Sequence, residues 1–121
     1  MEAVREILSA EGTSVEEMDV NDAYDYDSEV YENLVIEKIS EDVLSVEQYY
    51  KKRMSRYSDP EVRFDVSDPE NWVPIEYNQK HPPIKSRDED GLEIGDFLST
   101  WNTNLMNQFP AEEVTNGGEN Q

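Results

Sequence analysis

Between Leu34 and Tyr77 four short runs rich in apolar residues read as strands, two of them in apolar–polar alternation, and this pattern limits the fold more than any other feature of the chain. Leu34-Val35-Ile36-Glu37-Lys38-Ile39 reads as a strand, Ser40-Glu41-Asp42 as a turn, and Val43 to Tyr50 as a second strand, which predicts a hairpin. A basic bend follows, Lys51-Lys52-Arg53-Met54-Ser55-Arg56. Ser58-Asp59-Pro60-Glu61 then recurs as Ser67-Asp68-Pro69-Glu70, and both copies read as turns because Pro fixes φ and Asp bonds the backbone beyond it. Between the copies, Val62-Arg63-Phe64-Asp65-Val66 alternates, and so does Trp72-Val73-Pro74-Ile75-Glu76-Tyr77. Pro74 cannot donate to a ladder, so this last strand belongs at an edge or beside a bulge. The spacing predicts an antiparallel meander of four strands.

A sheet with one apolar face needs cover, and two segments offer it. In Met1–Ala10, Val4, Ile7 and Leu8 form a helical stripe, and Gly12 suits the stop after it. Ser14-Val15-Glu16-Glu17 has capping-box spacing for one more turn. Near the other end, Asp90 and Glu93 open a helix that carries Ile94, Phe97, Leu98, Trp101 and Leu105 on one face and ends at Phe109-Pro110. The expected fold class is therefore α+β, a four-stranded antiparallel meander covered by an N-terminal and a C-terminal helix. Residues 1–12 are the N-terminal helix, 13–33 an acidic segment, and 34–109 the sheet plus helix, one domain with 1–12. Asn78 to Arg87 reads as a loop and 110–121 as a disordered tail.

Charge bears on function. The 121 residues carry 29 Asp and Glu against 10 Lys and Arg, a net charge of −19. Residues 1–33 hold 11 acids and one Arg, residues 34–58 four acids and five bases. Asp19 to Tyr31, where acids interleave with Tyr24, Tyr26 and Tyr31, reads as an extended, loosely held loop. Such a chain repels polyphosphate, so direct nucleic-acid binding is not expected. No apolar run approaches the roughly 18 residues of a membrane span. No secretory signal opens the sequence, so a cytoplasmic location is expected.

The stretch Leu34 to Lys38, then Val46-Glu47-Gln48-Tyr49-Tyr50, then Ser58-Asp59-Pro60-Glu61-Val62-Arg63-Phe64, with the closing Phe97-Leu98-Ser99-Thr100-Trp101, resembles a family of small uncharacterised domains of plasmids, phages and other mobile elements. The resemblance spans about residues 33–109. It implies a fold and a mobile-element setting, and no catalytic residue.

Motifs for chemistry are sparse. With no cysteine, disulfides, thiol catalysis and Cys-bound metals are excluded. The one histidine, His81, sits beside two prolines and reads as a loop residue. Arg87-Asp88-Glu89-Asp90-Gly91 lacks the spacing of a calcium loop. Asp19, Asp22, Asp25 and Asp27 read as a solvated face rather than as metal ligands. Phosphate-binding glycine motifs are missing, and the basic cluster Lys51, Lys52, Arg53 and Arg56 reads as a balancing surface. No metal, no cofactor and no enzymatic activity are expected.

What remains is binding. A small protein with ordered carboxylates presents a field like that of DNA and competes for a basic groove, with fast, salt-sensitive association. The expected partner is a basic, nucleic-acid-binding protein, and the mobile-element resemblance suggests counter-defence against restriction or CRISPR machinery. The expected contact residues are Glu16, Glu17, Asp19, Asp22, Asp25, Asp27 and Glu29, with Tyr24 and Tyr26 as anchors. The alternative is an accessory protein of a salt-loving organism or mobile element whose acidity is adaptation to the solvent. Five Lys suits that reading, while nine Asn, four Ala and the clustering of acid in the first third do not.

Overall fold

In the computed structural model, which describes residues 1–53, 55–80 and 83–113, two helices and six strands form one α+β unit. The elements are α1 (Glu2–Ala10), β1 (Ala23–Tyr26), β2 (Asn33–Ser40), β3 (Val43–Lys52), β4 (Ser55–Asp65), β5 (Val73–Gln79), β6 (Ile84–Arg87) and α2 (Gly95–Gln108). The strands form one antiparallel sheet in sequence order, β1-β2-β3-β4-β5-β6.

The sheet thus has six strands rather than four. The acidic segment was expected to be loose, yet Ala23–Tyr26 pairs with β2 in a register that sets Tyr24 opposite Ile36 and Tyr26 opposite Leu34. Burial of Tyr26 with that apolar face explains the pairing. The expected loop 78–87 contains β6, paired to β5 by main-chain bonds although all four of its residues are exposed. Pro74 does not mark an edge, since β5 lies between β4 and β6. It sits where the β4–β5 register shifts, Arg63 opposite Glu76 but Phe64 opposite Pro74, so Ile75 is the extra residue of a bulge.

The first Ser-Asp-Pro copy is not a turn. Ser58, Asp59 and Pro60 lie within β4, where the register jumps from Glu47–Glu61 to Tyr49–Ser58 and the irregularity absorbs a residue that lacks an N–H. The second copy does turn, with the Glu70 N–H donating to the Asp68 side chain. The C-terminal helix starts at Gly95 rather than near Asp90. The Asp88 N–H donates to the Ile75 carbonyl and the Leu92 N–H to the Pro74 carbonyl, which holds residues 88–92 against β5 in non-helical form. Of the expected tail, Ala111–Glu113 forms a short 3-10 turn. Residues 114–121 and His81 lie outside the described residues.

One apolar layer joins these parts. Ile7 and Leu8 of α1 and Leu105 of α2 share a core with Leu34, Ile36, Leu44, Val46, Val62 and Phe64. Polar groups in that layer are satisfied: the Trp101 indole donates to Gln48 Oε1 at 2.8 Å, and Gln48 Nε2 donates to Gln108 Oε1 at 2.9 Å. α1 ends in a Schellman turn. Gly12 takes φ +80°, the Thr13 N–H donates to the Leu8 carbonyl and the Gly12 N–H to that of Ser9. The chain then folds back, so that Val15 and Met18 are buried in the core. Lys38, itself buried, donates its ammonium to the Val15 carbonyl at 2.6 Å and ties this loop to the sheet.

Lys38→Met removes that donor and leaves a buried carbonyl without a partner, at an expected cost of about 1–3 kcal/mol. Chemical denaturation measures the loss. Amide exchange should quicken over residues 13–22; exchange unchanged there would remove Lys38 as the tether.

Candidate functional site

The polar members of the alternation face away from the helices and form two zones. In the first, on β3–β6, three glutamates are matched by arginines. Ser45, Arg63, Glu76 and Arg87 stand in one cross-strand row, and Glu47, Glu61, Asn78 and Lys85 in the next. Glu47 and Glu61 are directly opposite, a like-charge pair that costs stability unless each is neutralised. Each is. Glu47 pairs with Arg56 and accepts from the Ser58 hydroxyl. Glu61 pairs with Arg63 at 3.1 Å and accepts from Ser45 and Asn78. Glu76 lies between Arg63 at 3.7 Å and Arg87 at 3.4 Å. The side chains of these three glutamates are only 13%, 16% and 9% exposed, so the arginines are committed to them.

The second zone is the β1 edge and the loop before it. Glu16, Glu17, Asp19, Asp22, Asp25, Asp27 and Glu29 are all exposed, and among the described residues none has an ion-pair partner. The zone is nonetheless ordered by local bonds. Ser14 donates to Glu17 at 3.2 Å, and the Asp19 N–H to Asp22 Oδ2 at 2.9 Å. The Tyr49 hydroxyl donates to Asp25 Oδ1 and Oδ2 at 2.9 and 3.0 Å. Burial, then this bond and the charge of Asp25, push the Tyr49 phenol up to about 12. The Arg56 guanidinium lies 3.8 Å over the Tyr49 ring, so Tyr49 joins the acidic zone to the matched one.

The two tyrosines proposed as anchors behave differently from that expectation. Tyr26 is 6% exposed, packs its ring near Phe109 and donates to Glu11, so it is a core residue and offers no surface to a partner. Burial first, then Glu11, raises its pKa. Tyr24 is half-buried and packs against the core. Sequence reasoning missed Tyr49, although the alternation of β3 places it with Ser45 and Glu47 and away from Val46. It also missed Val20 and Val30, which like Tyr31 are exposed around β1.

Other chemistry finds little support among the described residues. No group of three or more His, Asp and Glu side chains is placed to hold a metal ion. A cavity of about 370 Å³ opens between β4, β5 and β6, lined by Ser58, Asn78, Gln79, Lys80, Pro83, Ile84 and Lys85. No helix is long and apolar enough to cross a membrane.

Residues 2–109 match a domain family of unknown function, DUF6908, and the chain belongs to that family. No curated protein and no solved structure matches the chain.

Glu32, just before β2, has a buried Oε2 without a hydrogen-bond partner among the described residues. Burial and then the nearby Asp59 charge raise its pKa. A carboxyl raised by folding supports the fold most below its unfolded pKa of about 4.3, and that support is lost as pH rises through the folded value. Glu32→Gln is therefore expected to raise the thermal midpoint at neutral pH and leave it nearly unchanged in acid. A lower midpoint at neutral pH would contradict this. Tyr49→Phe should cost about 1 kcal/mol and free the β1 edge, seen as faster exchange of the Tyr24 and Tyr26 amides, which face β2.

Proposed function

We propose that this domain acts by binding rather than by catalysis. Its anionic edge, residues 16–29, docks in the cationic cleft of a nucleic-acid-binding protein and keeps nucleic acid out. One observation carries the reading: the arginines of the sheet are matched to Glu47, Glu61 and Glu76, while the acids of this edge are ordered, exposed and, among the described residues, without an ion-pair partner. A field of fixed carboxylates steers a basic partner over several ångströms and weakens as salt screens it. The setting that suits such a protein is mobile-element counter-defence against restriction or CRISPR nucleases. Glu16, Glu17, Asp19, Asp22, Asp25, Asp27 and Glu29 supply the contact charge. Tyr24 borders the surface, and Tyr26 supports it from the core.

The test separates local charge from total charge. One variant carries Asp19→Asn, Asp22→Asn, Asp25→Asn and Asp27→Asn, in which the amide oxygens keep the local acceptors. The control carries Glu41→Gln, Asp42→Asn, Glu93→Gln and Asp96→Asn, four exposed acids elsewhere with the same change in net charge. Displacement of duplex DNA from restriction and CRISPR nucleases is measured at low and high salt. The edge variant should lose about tenfold or more in potency at low salt while the control keeps it. Equal loss in both would make total charge the agent and remove the edge as the site. Displacement by neither variant nor the unsubstituted chain would end the reading.

A further inference from the structure

Among the described residues, strand β1 ends the sheet and pairs with β2 alone, which leaves its outer main-chain groups without a strand partner. The Lys38 N–H donates to the Asp22 carbonyl at 2.9 Å, and the register runs Tyr24–Ile36 and Tyr26–Leu34. In an antiparallel ladder, hydrogen-bonded pairs alternate with non-bonded ones, so Asp22, Tyr24 and Tyr26 face β2. The N–H and C=O groups of Ala23 and Asp25 point outward. Such an edge is a template for another extended chain.

We infer that β1 is a docking strand, and that its occupant is an extended segment of the partner carrying Lys or Arg at alternate positions. This rests on the binding function proposed above and adds its mode. Charge sets the chemistry. Residues paired opposite Ala23 and Asp25 would lie on the polar face, beside the Asp25 carboxylate and near Glu37, the register partner of Ala23. Lys or Arg satisfies both acids, with Asp22 and Asp27 exposed nearby. The intervening residue would lie on the other face, beside half-buried Tyr24, where an apolar side chain fits. The flanks agree. Val20 before β1, and Val30 and Tyr31 after it, are 45%, 81% and 49% exposed, apolar surface at both ends of the strand that a longer docked segment can reach. The far edge differs. By the same reasoning from the Asp88–Ile75 bond, β6 turns outward the main chain of Lys85 and Arg87, so it repels the occupant that β1 attracts.

The probe is the acetylated, amidated hexapeptide Lys-Val-Lys-Val-Lys-Val, titrated into the full chain at low salt. The control peptide is Lys-Pro-Lys-Pro-Lys-Val, of equal charge but unable to pair as a strand. The alternating peptide should bind about tenfold more tightly and slow amide exchange at Ala23 and Asp25. Ala23→Pro removes an outward donor while leaving the bonds to β2, and should bring the two peptides level. If that variant does not fold, exchange in the unsubstituted chain decides. Equal affinities with freely exchanging Ala23 and Asp25 amides would overturn the docking strand and leave the acidic-edge function standing. Binding of neither peptide would overturn both. Protection of the same amides by concentration-dependent self-association, without peptide, would place a second copy of this chain on the edge and overturn the basic occupant.

Discussion

Two short helices can shield only one face of a six-stranded sheet, and the apolar layer between them holds the rest of the molecule in place. Phe64, Ile7, Leu8, Leu34, Ile36, Leu44, Leu105, Val4, Val46 and Val62 are fully buried there. Each contributes roughly 1.5–3 kcal/mol relative to exposure. That stabilisation opposes the self-repulsion of a chain with net charge −19. Because this layer takes one side of every central strand, the polar side chains gather on the other, apart from Lys38 and Gln48, which are buried in the layer and hydrogen-bonded there.

How the polar face copes with its acids separates the molecule into two parts. On β3–β6 the carboxylates of Glu47, Glu61 and Glu76 are sunk among arginines, hydroxyls and an amide, so their charge is spent within the fold. On β1 and the preceding loop it is not. Those residues are held by Lys38 at Val15, by Tyr49 at Asp25, and by the burial of Val15, Met18 and Tyr26. An anionic surface without cations of its own is thereby given a fixed shape. Fixed shape matters because ordering a loose acidic loop on binding costs free energy that an already ordered edge has spent in folding.

Much of this fold was legible in the residues, and the exceptions have physical causes. Trp101 and Leu105 lie one helical turn apart in a polar helix, and Val62, Phe64 and Val66 alternate cleanly, so α2 and the central strands declare themselves. β6 reads Ile-Lys-Ser-Arg and is exposed throughout, so no buried side chain signals it; main-chain pairing alone makes it a strand. β1 is four residues long, and its period shows only once Tyr24 and Tyr26 are known to share a face with Ile36 and Leu34. Ser58-Asp59-Pro60 has turn chemistry but is overridden by the ladders on both sides of β4. The acidic site was legible as charge and not as shape. Nothing local reveals that Tyr49, more than twenty residues away, would hold Asp25, or that Tyr26 would be lost to the core.

The account stands on the claim that negative potential is concentrated at residues 16–29 and is not a property of the whole surface. The direct measurement is paramagnetic relaxation of the backbone amides by a cationic and a neutral nitroxide added to the free protein, since their ratio reports local potential residue by residue. The account predicts the largest cationic enhancement at residues 16–29, with weak enhancement over β3–β5, where arginines match the carboxylates. A ratio that is even over the exposed surface, or that peaks away from β1, would contradict it.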